Sequence, residues 1–337
     1  MKTDNVYMKQ LDIGKVLWRH FNMQVFKCQI LPDTSSNVYY LETNRGIFAL
    51  KEYPAGTALE TIELEIEVCA FLSVKGYAVP KHLPDVSGRK IIGFERHYFT
   101  VYPWIAGCRQ SFHSGTHTQS LQCAELYGRL VRSLEGFPIQ LKRKAAFDRS
   151  DKAVDKSMQE HEEISSVLKN DPVKRELQTK IQFLHELKEE KWEGFELITW
   201  KNSHGDYSSY QILFEGEFIS GLLDFTSVKH MPVIYELFRS FLYIRRGFED
   251  GFPDMREFAE YLKCYEKYEK LNVYDIQFAV RCYYLRILKT VFGYEQYALN
   301  PENVRYLHLG QDLYKQCVII HDNESKLTEQ LCEAMYG

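Results

Sequence analysis

The sequence predicts an α+β protein of two lobes: a small N-terminal antiparallel sheet with one helix, then a larger, mostly helical lobe that carries a hairpin. The chain has 337 residues, more than one compact core usually holds, so two lobes are the default expectation. In the first third, strand-like residues 38–42 and 47–53 flank a turn that ends in Gly46. From about Ser114 onward, apolar residues recur at helical spacing.

The other elements of the N-terminal lobe follow from local patterns. Residues 26–31 are predicted to form a strand, and residues 58–74 a helix that ends before Gly76. Residues 91–96 and 97–104 are predicted to form two more strands. We therefore place the end of this lobe at residue 104 and expect the second lobe to comprise residues 105–337.

After a first helical pattern over residues 121–134, the C-terminal lobe is predicted to contain charged amphipathic helices over residues 160–168 and 173–187. The second has Asp171 at the expected N-cap and Pro172 at the first helical position, a typical helix start. Residues 197–225 are predicted to form β structure, and the chain after Met231 is predicted to be mostly helical.

Composition excludes several classes of protein. Lysine and arginine number 42 against 46 aspartate and glutamate, so there is no basic excess that would indicate nucleic-acid binding. The eight cysteines contain no CxxC pair and are typical of a reducing compartment. No stretch approaches the ~18 apolar residues of a membrane span, and the N-terminus has no apolar signal segment. We expect a soluble, cytoplasmic protein without a membrane partner, and the oligomeric state stays open.

One predicted hairpin brings together Asp206, Gln211 and Asp224. With its tip at residues 215–216, Asp224 is expected to lie about opposite Tyr207, with Gln211 between the two acids. Phosphoryl transfer uses one carboxylate for the proton of the attacking hydroxyl and a second, with an amide oxygen, for Mg²⁺ on the nucleotide. Asp206 alone could be a turn residue and Asp224 a strand-end cap, but their pairing after a His-Gly step favours the functional interpretation.

The segment resembles a known signature. His204-Gly205-Asp206, a polar amide at position 211, and Leu222-Leu223-Asp224-Phe225 after a hairpin are similar to the motif of the aminoglycoside phosphotransferase, choline kinase and homoserine kinase family, which includes kinase-like proteins of bacterial spore coats. The resemblance implies a protein-kinase-like two-lobe fold and the use of ATP and Mg²⁺. It also implies Asp206 as catalytic base, and Asp224 and Gln211 as metal ligands, although the family has asparagine where this chain has Gln211.

The same resemblance assigns nucleotide contacts to the N-terminal lobe. Lys51 is expected to face Val38 across the first hairpin, beside the loop of residues 33–37; by resemblance it would hold the phosphates, and without that it would be an edge-strand lysine. Glu65 is the preferred helix partner of this lysine, and only one of the neighbouring glutamates can face it. The further nucleotide-contact candidates are Ser36 and Asn37 in the loop and Pro103 and Ile105 in the connection between the lobes.

Two functions remain in view from the sequence. The first is an ATP- and Mg²⁺-dependent transfer of phosphate to a hydroxyl of a small molecule, such as an amino alcohol, amino acid, sugar or aminoglycoside. The second is a weakly active or inactive kinase-like protein with a binding or structural role, for example in a spore-coat-type assembly. Residues 110–190 and 230–300 lie outside the expected kinase core, so we expect them to form the acceptor pocket. They are rich in aromatic side chains, which could surround a cationic amine or simply pack the core.

Overall fold

The computed structural model describes residues 10–31, 36–94, 97–245, 247–248 and 251–337, with the side chains of residues 10 and 11 excepted. The described chain forms two compact units. The sheet unit contains the chain up to Arg109 together with Gln211–Val228, and the helical unit contains Gln110–Tyr210 and Lys229–Gly337. The predicted α+β class is confirmed, while the functional lobe boundary at residues 104 and 105 stays a prediction.

The helices are α1 (Gln10–Phe21), α2 (Leu59–Val74), α3 (His117–Glu135), α4 (Asp151–Val167), α5 (Asp171–Glu189), α6 (Val233–Ile244), α7 (Met255–Tyr265), α8 (Val273–Gln277), α9 (Ala279–Lys289), α10 (Phe292–Leu299) and α11 (Val304–Tyr336). The strands are β1 (Val25–Ile30), β2 (Asn37–Thr43), β3 (Gly46–Glu52), β4 (Ile92–Phe94), β5 (His97–Pro103), β6 (Cys108–Arg109), β7 (Trp200–Ser203), β8 (Ile212–Glu215), β9 (Phe218–Leu222) and β10 (Lys229–Pro232). None of the described helices combines the length and the apolarity needed to cross a membrane.

The main sheet of the sheet unit is antiparallel, with strand order β1-β2-β3-β5-β4. The predicted hairpin of β2 and β3 is confirmed, including the pairing of Val38 with Lys51. Helix α2 also ends as predicted, since Gly76 adopts a φ of +86° that favours glycine. The predicted strand over residues 91–96 corresponds to β4, although residues 95 and 96 lie outside the described residues.

Helix α1 has no counterpart among the predicted elements. Its buried residues Ile13, Val16, Leu17 and Phe21 follow helical spacing, so the sequence did contain the signal. They pack in one cluster with buried residues of the main sheet, including Leu41 of β2. The helix therefore covers one face of the sheet, which an isolated antiparallel sheet would expose.

Two helices of the helical unit begin differently from the prediction. Helix α4 begins at Asp151 and not at residue 160, because the Ser150 hydroxyl accepts the Ala153 N–H at 3.4 Å and caps it. Helix α5 begins at Asp171, so the prediction of Asp171 as N-cap is wrong by one residue. The cap is Asn170, and its side-chain oxygen accepts the N–H of the third helical residue at 3.3 Å.

The predicted β segment over residues 197–225 divides between two sheets. Strand β7 pairs with β10 in the helical unit, whereas β8 and β9 join β6 in a three-stranded sheet of the sheet unit. Residues 204–211 between β7 and β8 are not strand, and they carry the His-Gly-Asp sequence. The existence of a hairpin in this segment was therefore predicted correctly, but β7 is not part of it.

Acid is expected to destabilise the protein in part through His82. Neither ring nitrogen of His82 has a hydrogen-bond partner among the described residues, and burial lowers its pKa from 6.5 to about 3, with the charge of Lys51 as a smaller cause. A histidine whose pKa is lowered on folding stabilises the protein above its unfolded pKa and loses that contribution as the pH falls. Replacing His82 with Phe should therefore flatten the dependence of the unfolding free energy on pH between 6.5 and 4 by about 1.4 kcal/mol per pH unit. Denaturant titrations at several pH values measure this slope, and an unchanged slope would contradict the expectation.

Candidate active site

Lys51 is the centre of a buried ion network in the sheet unit. Its Nζ donates to Glu65 at 2.8 Å (Oε1) and 3.1 Å (Oε2), and to Asp224 Oδ1 at 2.9 Å. The side chains of Lys51 and Glu65 are 5% and 1% exposed, so water does not screen their attraction. Three residues that the sequence singled out thus lie in direct contact.

Secondary structure explains why Glu65 is the partner. Strand β3 carries Lys51 into the interior, and α2 turns Glu65 inward together with its buried neighbours Ile62 and Ile66. The other two candidate carboxylates, at positions 63 and 67, are exposed. A helix face that buries every third or fourth residue can include only one of the three glutamates.

The network holds a charged lysine. Burial alone would lower the pKa of Lys51, but the carboxylates of Glu65 and Asp224 outweigh burial and hold the pKa well above its ordinary value. Glu65 accepts two further bonds, from the Tyr53 hydroxyl at 2.7 Å and from the Phe225 N–H at 3.1 Å. The ammonium is therefore positive at neutral pH and fixed in position, as a phosphate contact requires.

The hairpin of β8 and β9 differs in register from the prediction. Its two-residue turn lies at 216–217, and β9 contains a bulge at Ser220, because Leu213 and Phe214 of β8 pair with Gly221 and Ile219. The Leu223 N–H donates to the Gln211 carbonyl at 2.8 Å, which fixes the strand pairing at the open end. The predicted pairing of Asp224 with Tyr207 is therefore wrong. Because of the later turn and the bulge, Leu223 pairs with Gln211, and Asp224 directly follows that pair.

The backbone at Asp224 is unusual for a residue with a side chain. Its φ is +58°, in the left-handed region that is rare outside glycine. The Asp224 Oδ1 accepts from the Thr226 hydroxyl at 2.7 Å as well as from Lys51. Two donors from different segments thus orient this carboxylate.

The oxygen donors of Gln211 and Asp224 suit Mg²⁺ bound together with phosphate. Gln211 is buried, and the Asp224 side chain is 18% exposed. Among the described residues, no group of three or more His, Cys, Asp or Glu side chains could hold a metal by itself. Mg²⁺ prefers hard oxygen ligands and commonly takes only one or two from the protein, with phosphate and water supplying the rest. The donor set therefore fits a nucleotide-bound metal better than a metal site made of protein ligands alone.

The predicted loop contacts are only partly described. Residues 33–35 lie outside the described residues, whereas Ser36 is buried and Asn37 begins β2. The Asn37 Nδ2 donates to Glu52 Oε2 at 3.0 Å, and the Tyr39 hydroxyl donates to the same oxygen at 3.1 Å. Asn37 is therefore anchored to the neighbouring strand of the sheet.

Pro103 and Ile105 lie at the end of β5 and just beyond it. The Trp104 N–H between them donates to the Ile47 carbonyl at 3.0 Å, and Trp104 packs against an apolar cluster of Val38, Ala49, Tyr102 and Leu31.

Shortly after Ile105, Gly107 has a φ of +122°, and a Cβ there would overlap the Ser220 hydroxyl and lie 3.2 Å from the Phe214 carbonyl oxygen. Glycine is thus required where this connection meets the hairpin.

In the helical unit, Glu236 organises the loop that contains the His-Gly-Asp sequence. It is fully buried on the first turn of α6 and accepts the N–H groups of Gly205 at 3.2 Å and Tyr207 at 2.9 Å. The hydroxyls of Ser203 and Tyr127 donate to the same carboxylate. A buried carboxylate that accepts several such bonds is stabilised and fixes the loop backbone. His204 is also buried, and its Nδ1 accepts the Asp206 N–H at 3.3 Å, as expected for a structural histidine.

Asp206 is the acidic residue of this loop, and its side chain is 39% exposed. Its Oδ1 accepts from Arg239 Nη2 at 2.7 Å, and the same guanidinium donates to the Tyr207 carbonyl at 3.1 Å. Arg239 also lies over the ring of Tyr243, 4.5 Å from its centroid. On the other side of the loop, Lys144 donates to the Gly205 carbonyl at 2.7 Å.

Sequence reasoning missed both Arg239 and Lys144. Arg239 lies three residues after Glu236 on α6, so the two side chains share a helix face and could have been paired by spacing. Lys144 carried no such signal, because only the fold brings residues so distant in sequence into contact. Together these residues hold the Asp206 loop from two sides.

Five aromatic residues of the stretch 230–300, which the sequence offered for an amine pocket, mostly pack the core. Four of them are at most 6% exposed: Tyr235, Phe238, Tyr283 and Tyr284. The fifth, Tyr243, is partly buried and already covered by a guanidinium. These residues therefore do not form an open aromatic cage for a cationic acceptor within the described helical unit.

Solved structures of several kinases are similar to this chain. An amicoumacin kinase, hAmiN, in complex with AMP-PNP, Ca²⁺ and Ami matches with a TM-score of 0.65 at 14% identity, covering 92% of this chain and 93% of that one. A GDP complex of an aminoglycoside 2′-phosphotransferase-IIIa mutant gives 0.63 at 12% identity, covering 95% and 100%. A microcompartment-associated aminopropanol kinase gives 0.60 at 13% identity, covering 95% and 99%. At these identities the similarity establishes the fold.

The family follows from the sequence as a whole. No curated protein sequence matches the chain. The model of the phosphotransferase enzyme family, APH, matches residues 27–271, which include Lys51, Glu65, Asp206, Gln211 and Asp224. This match covers well over half of the chain, and the kinase-like fold agrees with it. The chain belongs to the phosphotransferase enzyme family.

Proposed function

We propose that the protein transfers the terminal phosphoryl group of ATP, with Mg²⁺, to a hydroxyl of a small molecule. The observation that carries the proposal is the buried network in which Lys51 contacts both Glu65 and Asp224. A lysine held by a helix glutamate is the arrangement that kinases use to bind nucleotide phosphates. Family membership and the nucleotides in the similar structures support the same assignment.

The nucleotide would be bound by the sheet unit. Lys51, oriented by Glu65, would contact the phosphates, and Ser36 and Asn37 would contribute from the adjoining loop. Backbone groups at Pro103 and Ile105 would contact the base, beside the apolar cluster around Trp104. This cluster suits a flat apolar ring, which polar loops alone would bind poorly.

Gln211 and Asp224 would hold Mg²⁺ on the phosphates. The metal would supply charge neutralisation for the transferred group, which is the chemistry that phosphoryl transfer requires. Asp224 is oriented for this by the Thr226 hydroxyl. Gln211 retains the amide oxygen of the usual asparagine but is one methylene longer.

Asp206 would accept the proton of the acceptor hydroxyl. As the O–H bond breaks, the oxygen forms a bond to the terminal phosphorus, the proton passes to the Asp206 carboxylate, and ADP leaves with the electrons of the broken P–O bond. Arg239 and the buried Glu236 would keep the loop in position. The exposure of Asp206 is consistent with a group that must reach a substrate.

The alternative is a kinase-like protein with a binding or structural role. Gln211 favours it, since Mg²⁺ tolerates little error in ligand geometry. The bond between Asp206 and Arg239 also favours it, because the guanidinium already occupies one oxygen of the carboxylate that would have to accept the proton. These two features make catalysis the point to be tested, more than the fold.

Thermal unfolding with and without nucleotide tests the proposal directly. Mg²⁺-ATP at one hundred times its Kd should stabilise the protein by about 2.7 kcal/mol, and Mg²⁺ alone should not. ADP formation should then depend on an added alcohol from a screen of amino alcohols, sugars and hydroxy acids. Absence of both the thermal shift and the ADP would rule out the kinase assignment, whereas a shift without turnover would support the binding role.

A further inference from the structure

Four cationic side chains of the helical unit lie partly or fully buried without a bonded carboxylate among the described residues: Lys144, Lys180, Arg286 and Lys289. Each lysine donates only to a backbone carbonyl, that of Gly205 at 2.7 Å, Thr290 at 2.6 Å and Asp148 at 2.6 Å, respectively. The Nε of Arg286 is buried, with no hydrogen-bond partner in the described structure. Buried cations in proteins are normally paired, so this set requires an explanation.

Arg286 is the common neighbour of the three lysines. Burial is the main cause that lowers the pKa of Lys144 and Lys180 to about 8, and it also lowers the pKa of Lys289. In all three, the charge of Arg286 lowers the pKa further. Carboxylates act in the opposite direction and more strongly than Arg286 on two of the lysines, Glu236 on Lys144, and Asp148 and Glu160 on Lys289. Arg286 nevertheless places positive charge beside all three lysines, which a bound anion would offset.

A cavity adjoins two of these cations. It has a volume of about 810 Å³, and Arg286 and Lys289 on α9 line it together with Lys152 and Lys156 on α4. Small-molecule sites commonly have volumes of about 300–1,000 Å³, so the cavity is large enough for a metabolite.

Carboxylates also line this cavity, namely Asp148, Glu160, Glu163 and Glu295. Three of the four are exposed to solvent, and the fourth, Glu160, is paired with Lys156 at 3.7 Å. Lys289, in contrast, is 8% exposed, and the Arg286 Nε is buried. The interior part of the lining is therefore positive, whereas the negative groups lie at its solvent-exposed part.

Residues 144–146 contact both the cavity and the loop of the proposed base. Ala145 and Ala146 line the cavity, and they directly follow Lys144 in the chain. The Lys144 ammonium donates to the carbonyl of Gly205, the residue before Asp206. An acceptor bound in this cavity would thus lie in the same unit as the carboxylate that must take its proton.

We propose that this cavity binds the anionic group, a carboxylate or a phosphate, of the acceptor alcohol, with Arg286 as its main donor and Lys289 beside it. The inference rests on the proposed function, because it takes the bound alcohol to be the phosphoryl acceptor. Guanidinium groups bind both anions through paired N–H donors, and Arg286 lines the cavity without a bonded carboxylate among the described residues. Acidic alcohols are therefore the expected acceptors, in preference to polycationic aminosugars.

Binding measured without nucleotide tests the anion site separately from catalysis. Calorimetric titrations of the full chain with serinol, glycerol, D-glycerate and glycerol 3-phosphate compare similar alcohols of positive, neutral and negative charge, and the last two distinguish a carboxylate from a phosphate. We expect one or both anions to bind and the other two alcohols to bind much more weakly. Arg286→Met should weaken anion binding by about tenfold or more, and Arg286→Lys by less.

Arg175→Met, the same change at an exposed position of α5, is the matched control and should bind as the wild type does. Melting temperatures of all variants establish that they are folded. Equal binding of serinol or glycerol and the anions, no binding of either anion, or unchanged binding by Arg286→Met would overturn the inference. If ATP is consumed with glycerol or serinol but not with the anions, the proposed function stands and this inference fails. Arg286-dependent anion binding with neither a thermal shift by Mg²⁺-ATP nor ADP formation in the alcohol screen would instead support the anion site and overturn the proposed function.

Discussion

The Asp206→Asn variant is expected to turn over about 10²–10⁴ times more slowly than the wild type, because a carboxamide cannot accept the hydroxyl proton. The change preserves the shape of the side chain. The asparagine oxygen can still accept the 2.7 Å bond from Arg239, so the loop should keep its conformation. Initial rates of ADP formation, with the best acceptor of the alcohol screen at saturation, measure the effect on kcat.

Two controls separate the loss of the base from general damage. Asp312→Asn makes the same change on α11, where the carboxylate contacts the exposed Lys315 at 3.4 Å, and it should leave kcat unchanged. Nucleotide binding by Asp206→Asn should match the wild type in the thermal-shift experiment, because the groups proposed to bind ATP belong to the sheet unit. A rate above one tenth of the wild-type value would refute the role of Asp206 as base.

Much of the sheet unit was predictable because its elements depend on local sequence. The β2–β3 hairpin needs only alternating apolar residues and a turn glycine, and these also placed Lys51 opposite Val38. The choice of Glu65 among the three glutamates came from the resemblance to the family, and the periodicity of α2 explains why the structure buries it. Local patterns therefore account for the placement of Lys51 and Glu65, whereas their selection as nucleotide-binding candidates came from the resemblance.

The loop around Asp206 was less predictable because distant residues hold it. A bulge in β9 and a later turn changed the hairpin register, and neither has a clear sequence signal. Lys144 and Arg239 contact the loop only through the packing of the helical unit. The buried cation Arg286 likewise gives no sign in the sequence, since an isolated arginine on a helix usually faces solvent.

Lys51→Met is expected to reduce the unfolding free energy by about 3–5 kcal/mol, because it leaves the buried carboxylate of Glu65 and its neighbour Asp224 without their counter-charge. Denaturant unfolding at neutral pH measures the loss. The matched control is Lys27→Met, which removes an exposed pair with Glu42 at 3.1 Å in the same sheet. An exposed pair contributes about 0–1 kcal/mol, so the control should be nearly as stable as the wild type.

Nucleotide binding then separates the two roles of Lys51. The melting experiment starts at a temperature at which Lys51→Met is still folded. Mg²⁺-ATP should then no longer raise the melting temperature of this variant, whereas it should raise that of Lys27→Met as it does for the wild type. Lys51→Arg retains the charge but replaces a compact ammonium with a larger planar group, so it should recover part of the stability and less of the nucleotide binding. Equal losses of stability in the two methionine variants would contradict the buried network as a stabilising element. A normal ATP response in folded Lys51→Met would remove Lys51 from the proposed phosphate contacts, because in that case the lysine would serve only to neutralise the carboxylates of Glu65 and Asp224.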